Sequence, residues 1–189
     1  MGGLMSYLWG GSAAVAADDD DPELDVPDPV LGVTPREKRM VTDCWDIVRQ
    51  DAKGNGTELL LLFFTNNPEA KKRFTSFKDV PISDLRTNPK FHAHANSVMY
   101  ALTAVVDHLD DPEVMIEMLR KQGENHGRRK ITEAEFLALK KDFFQFLLEK
   151  LSAKMTPECI KAWEKIADAA FSTMINSLNE VQKSQHVIS

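Results

Sequence analysis

The sequence predicts an all-α domain, and three observations carry that expectation. Four helix starts share one grammar, apolar residues recur at intervals of three and four, and alternating strand-like runs are absent. The first start, Thr34-Pro35-Arg36-Glu37, supplies a hydroxyl cap, Pro at the first helical position and a carboxylate at the third, so a helix is expected over 34–50. The next, over 53–66, contains the run Leu59 to Phe64, which is too uniformly apolar and too rich in Leu to require a strand. Pro68 opens a short helix over 68–74, and Pro81 with Asn88-Pro89 marks 75–88 as a loop. Phe91, His94, Val98, Leu102, Val105 and Leu109 then form one stripe along a helix over 89–109. Asp111-Pro112 starts a helix over 112–126, which Gly127 is expected to cap. Thr132-Glu133-Ala134-Glu135 is a capping box opening 133–151, with Phe136, Leu139, Phe143 and Leu147 on one face. Thr156-Pro157-Glu158 opens the last helix, 157–181, whose stripe is Trp163, Ala167, Ala170, Met174 and Leu178. These helices are more numerous and shorter than an up-and-down four-helix bundle would show.

The 189 residues, 43% of them hydrophobic, suffice for one core. The net charge of −6 is unevenly placed. Residues 1–33 hold seven acids and no Lys or Arg, leaving 22 acids against all 23 bases in the remainder. Three regions are therefore expected: a flexible acidic leader over 1–33, a nearly neutral domain over 34–182, and a flexible tail over 183–189. The acidic balance argues against nucleic acid as a partner. No apolar run approaches a membrane span, and no basic, apolar secretory leader precedes the core. Two cysteines, Cys44 and Cys159, make neither a disulfide scaffold nor a zinc site and suit a reducing, intracellular setting.

Glycine-rich nucleotide loops, HExxH and GxSxG are all missing, which removes the common nucleotide, zinc-protease and serine-hydrolase chemistries. The remaining chemistry lies with His92, His94, His108, His126 and His186. His186 falls in the tail, and His108 sits at a helix end where an imidazole meets the last carbonyls. His94 shares its stripe with Phe91, Val98 and Leu102, and His126 closes the next helix beyond Met115, Met118 and Leu119. Two imidazoles facing an apolar interior from separate helices suit a flat iron cofactor, one on each face.

Three runs carry a resemblance. Phe63-Phe64-Thr65-Asn66-Asn67-Pro68, followed six residues later by Phe74, resembles the globin BC corner and the Phe that stacks on haem. Pro89-Lys90-Phe91-His92-Ala93-His94-Ala95-Asn96-Ser97-Val98 resembles the E helix, where the distal His is followed four residues on by Val. Gln122-Gly123-Glu124-Asn125-His126-Gly127-Arg128-Arg129-Lys130-Ile131 resembles the F helix and FG corner with the proximal His, and Trp45 stands where many globins have a Trp. The chain is thus similar to the globin superfamily over about residues 34–181. Its wording resembles the neuroglobin, cytoglobin and globin X group most.

The resemblance implies a globin fold of seven to eight helices around haem b (iron protoporphyrin IX), reversibly binding O2, CO or NO. His126 would be the proximal iron ligand and His94 the distal one, bis-histidyl when no gas is bound. Leu60, Phe74, Val98, Ile131 and Phe136 would wall the pocket. Leu60 replaces the Tyr of some tight O2 binders, Gln122 replaces a frequent Leu, and Ser97 replaces a basic residue that pairs with a haem propionate. Arg128, Arg129 or Lys130 is left for that role. A redox or sensing role in the cytoplasm is implied, with NO dioxygenation or nitrite reduction by an external reductant as the enzymatic alternative. The competing reading from another class is a helical adaptor without cofactor. Cys44 and Cys159 fall in the first and last helices, which pack together in globins, so pairing and two separate thiols both stay open. Met1-Gly2-Gly3-Leu4-Met5-Ser6 fits the N-myristoylation pattern, making Gly2 a candidate lipidation site and the inner face of the plasma membrane a candidate location. One acyl chain binds membrane only marginally, and neither a polybasic patch nor a nearby Cys supplements it.

Overall fold

A computed structural model describes residues 21–187. Among these, eight α-helices and two short 3-10 turns form the domain: α1 (Pro35–Arg49), α2 (Ala52–Asn66), α3 (Pro68–Lys71), α4 (Ile82–Leu85), α5 (Pro89–Asp107), α6 (Pro112–Arg128), α7 (Glu133–Leu151) and α8 (Pro157–Val187). No strand occurs among the described residues. Gly2 and its neighbours lie outside the described residues.

Local chemistry sets the starts. Thr34 accepts from the Glu37 amide at 3.1 Å while the Glu37 carboxylate accepts from the Thr34 amide at 2.9 Å, a complete capping box. Thr132 and Glu135 repeat it on α7. Asn88 accepts from the Lys90 and Phe91 amides, and Asp111 caps α6.

The ends differ from expectation in four places. Gly127 does not cap α6, which runs on to Arg128 and stops where Lys130 takes a positive φ of 58°. Gly127 is instead buried against α8, where a Cβ would lie 2.8 Å from the Leu178 carbonyl oxygen; Gly123, one turn earlier, meets the Met174 backbone in the same way. The helix expected over 68–74 ends at Lys71, and α4 forms inside the expected loop. The last helix continues to Val187 rather than ending at 181, into the expected tail, and the Gln182 side chain there donates to the Ile131 carbonyl at 2.7 Å. The expected leader also does not stay outside the fold as far as residue 33. Leu31 and Val33 are buried in the main core, because Asp28 folds the preceding turn by accepting from the Val30 and Leu31 amides at 3.0 and 2.7 Å. Ion pairs Arg36–Asp25 and Lys38–Asp28 tie that strap to α1.

The main core gathers α1, α5, α7 and α8 around Trp45, which is fully buried 5.8 Å from Trp163 and 6.3 Å from Phe143, its indole donating to Thr103 at 3.0 Å. A second cluster joins α2 to α5 and the turn region through Phe64, Phe77, Phe91 and Leu85. A third joins the start of α7 to the middle of α8 through Phe136, Phe171 and Leu178. Residues of α5 and α6 line a cavity beside these clusters.

Candidate functional site

His94 projects from the second turn of α5 and His126 from the last turn of α6. Both line one cavity of about 80 Å³, which is also walled by Leu60, Phe74, Val98, Ile131 and Phe136. The structure thus brings together all seven residues that the sequence nominated for the pocket. It adds Phe63, Ala70, Glu135 and Leu139. Leu139 belongs to the α7 stripe already visible in the sequence, one turn beyond Phe136. Glu135 was legible only as a cap residue, and it also pairs with Arg73 at 3.2 Å, so one carboxylate fixes the helix start and borders the cavity. A second cavity of about 420 Å³ shares Val98, His126, Phe136 and Leu139 in its wall. It runs to Trp45, Phe143 and Trp163 in the core.

The two imidazoles are held differently. His126 Nδ1 lies 2.7 Å from the Gln122 carbonyl oxygen one turn back, so this nitrogen carries the proton and donates. That leaves Nε2 as an unprotonated lone pair, the form a metal requires. The Phe136 ring meets His126 edge-on at 5.2 Å. His94 has aromatic neighbours, with Phe74 centred 4.7 Å away and Phe77 at 6.3 Å. Burial pushes the His94 imidazole down to about 4, and the nearby His126 and Arg129 charges add to the shift. Burial lowers His126 as well, opposed by the Gln122 hydrogen bond and reinforced by Arg129. Both rings are therefore neutral at pH 7 and able to donate a lone pair.

The other histidines are engaged elsewhere. His92 bridges Thr57 at 3.2 Å and the Arg86 carbonyl at 2.8 Å, and His108 contacts the Ala104 carbonyl at 2.8 Å. His186 lies in α8, its side chain outside the described residues.

Among the described residues no group of three or more His, Cys, Asp or Glu side chains is arranged to hold a bare metal ion. Two imidazoles alone would leave such an ion short of ligands. His94 and His126 would instead hold a metal already carried by a flat macrocycle, and the apolar wall suits such a macrocycle. Of the cations nominated for its carboxylates, Arg128 is taken up by Glu124 and Asn125. Arg129 lies close enough to act electrostatically on both imidazoles. Ser97 turns its hydroxyl back to the Ala93 carbonyl at 3.0 Å.

Comparison with known proteins bears on the fold and the family. The globin family model matches residues 57–174. Cytoglobin-2 of Danio rerio is 29% identical over 157 residues, covering 82% of this chain and 86% of that one. Globin-1 of Anadara inaequivalvis is 35% identical over 111 residues, covering 59% of this chain and 75% of that one. Among solved structures, a hexacoordinated haem protein from an anhydrobiotic tardigrade superposes with a TM-score of 0.75 at 20% identity, covering 80% of this chain and 99% of that one. A Drosophila melanogaster globin superposes with a TM-score of 0.70 at 23% identity, covering 75% and 92%.

Proposed function

The chain belongs to the globin family, and from that premise we propose that it holds haem b between His126 and His94 and reversibly binds diatomic gases there. The observation that carries the reading is the pair of neutral imidazoles on one apolar cavity, reached from separate helices. The iron supplies the coordination position for O2, CO or NO. His126 is the proximal ligand: the Gln122 carbonyl fixes its tautomer, sets its plane and raises its basicity. His94 is the distal residue, its ring aligned by Phe74. Leu60, Phe74, Val98, Ile131 and Phe136 exclude water, which slows oxidation and loss of the cofactor. Arg129 is the cation for the propionates, in place of Ser97.

The unliganded state is bis-histidyl. His94 has the shape contacts but not the backbone hydrogen bond that would hold it away from a metal, so the ring is free to bind and to yield. A redox or sensing role follows from a distal ligand that gas must displace. Reconstitution with haem tests the assignment: a Soret band is expected in the wild type, and His126→Ala is expected to bind haem much more weakly. A ferrous spectrum that is high-spin in the wild type would refute the bis-histidyl state while leaving gas binding intact.

Gly2 is the proposed acylation site, and the chain then lies at the inner face of the membrane rather than across it. The Gly-Gly-Leu-Met-Ser pattern supports this, and among the described residues no helix is long and apolar enough to cross a membrane. Mass spectrometry of the N-terminal peptide from a eukaryotic host decides it, since an unmodified Gly2 ends the idea.

A further inference from the structure

Cys44 in α1 and Cys159 in α8 take no part in the crevice. Both are free thiols, exposed at only 4% and 2%, and their Sγ atoms lie 3.2 Å apart although 115 positions separate them in the chain. A disulfide is about 2.05 Å long, so the sulfurs need to close by roughly 1.1 Å. Small χ1 rotations on two helices already in contact supply that movement. The pair is covered by the turn Ser152–Lys154, whose Lys154 carbonyl lies 3.8 Å from Cys44 Sγ. Ser152 enters that turn at φ 24°, a left-handed conformation unfavourable for a residue with a Cβ, so the cover is a segment that opens more readily than the helices it joins.

We propose that Cys44 and Cys159 are a redox site, oxidised by hydroperoxides to an interhelical disulfide that staples α1 to α8. Burial, with the Cys44 hydrogen bond, pushes the Cys159 thiol up to about 12, so the closed pair is inert and reaction follows opening of the turn. One sulfur, as thiolate, attacks a peroxide oxygen and becomes a sulfenic acid, with the other oxygen leaving as water once protonated. The second thiol then attacks the sulfenic sulfur, forming the S–S bond and releasing a second water. Two thiols and one hydrogen peroxide thus give one disulfide and two waters.

The staple acts on the cavity beside the crevice. Trp45 follows Cys44 in the chain and Trp163 lies one turn after Cys159, and both indoles line the 420 Å³ cavity. The bond fixes the two indole-bearing turns against each other, so the cavity floor loses freedom on oxidation. The disulfide itself does not depend on the haem reading.

Full-length chain, reduced or treated with hydrogen peroxide, is alkylated in denaturant, weighed intact and peptide-mapped. The reduced sample takes up two alkyl groups. The peroxide-treated monomer is expected to take up none and to yield one cross-linked peptide pair containing Cys44 and Cys159. Its unfolding equilibrium in guanidinium shifts roughly a thousandfold toward the native state. The near-ultraviolet circular dichroism of the tryptophans changes with oxidation and returns with dithiothreitol, whereas Cys44→Ser shows neither shift. Thiols that stay free, go on to sulfinic acid, or pair only between molecules would overturn the proposal. A disulfide that leaves both the unfolding midpoint and the dichroism unchanged would overturn the staple.

Discussion

α5 and α6 each offer one imidazole to the same cavity, yet the two helices secure it by different means. On α6, His126 donates to its own helix at Gln122, and Gly123 and Gly127 let that helix lie backbone-to-backbone on α8. On α5, His94 is set by ring contacts with Phe74 and Phe77. A hydrogen bond and a close helix crossing define a position within tenths of an ångström, whereas ring contacts tolerate sliding. The contrast teaches that one imidazole is fixed by its own helix and the other by packing alone.

The sharpest way to break the contrast is to remove the imidazole fixed by its own helix. His126→Ala is expected to raise the rate of haem loss at least about 100-fold, since among the described residues no imidazole, thiol or thioether other than His94 lines that cavity. Transfer to a haem-scavenging apoprotein measures it, and a rate within tenfold of wild type would abolish the distinction.

The next effect comes from pH on the cofactor-free chain. Above pH 6.5 the His94 ring is neutral in both folded and unfolded states and contributes no pH dependence. As pH falls from 6.5 towards 4, the unfolded chain takes up a proton that the folded chain refuses. Stability therefore drops by about 1.4 kcal/mol per pH unit, about 3 kcal/mol in all. The difference between wild type and His94→Leu in urea midpoints at pH 7, 6, 5 and 4.5 isolates this contribution. Parallel profiles would show that the ring is not held neutral.

Gly127→Ala is expected to cost about 2 kcal/mol, because its Cβ meets the Leu178 carbonyl oxygen at 2.8 Å and Val181 at 3.2 Å. It should also accelerate haem loss, since α6 must lift away from α8 to accept the methyl. A stable variant with unchanged haem retention would mean the crossing does not position His126. The smallest effect is expected from His94→Leu. Haem loss changes by less than about tenfold, while the ferrous spectrum turns from low-spin to high-spin.

Sequence made the fold legible wherever a helix start carried its own partner, as Thr34 with Glu37 and Thr132 with Glu135 do within four residues. It was less informative where tertiary contact overrode a local rule. Gly127 has the chemistry of a C-cap, and only the approach of α8 reveals that its missing side chain makes room for a helix. Asp28-Pro29-Val30-Leu31-Gly32 is a turn signal that acidic composition masked, and Leu31 and Val33 were the hint that it ends inside the core. For the crevice, the resemblance to globins named which side chains share a wall. The Gln122 carbonyl was not visible, nor which of Arg128, Arg129 and Lys130 comes near the imidazoles, because a backbone acceptor has no residue signature and a corner cation is placed by the fold.

The strap of residues 21–33 turns the chain ahead of it into something other than a slack leash. With Leu31 and Val33 embedded and Asp28 paired to Lys38, a pull on the first twenty residues is delivered to the start of α1. If those residues are held to a surface, the body is oriented as well as retained, and the mouth of the crevice keeps a preferred side. A cut after residue 33 would remove part of its core.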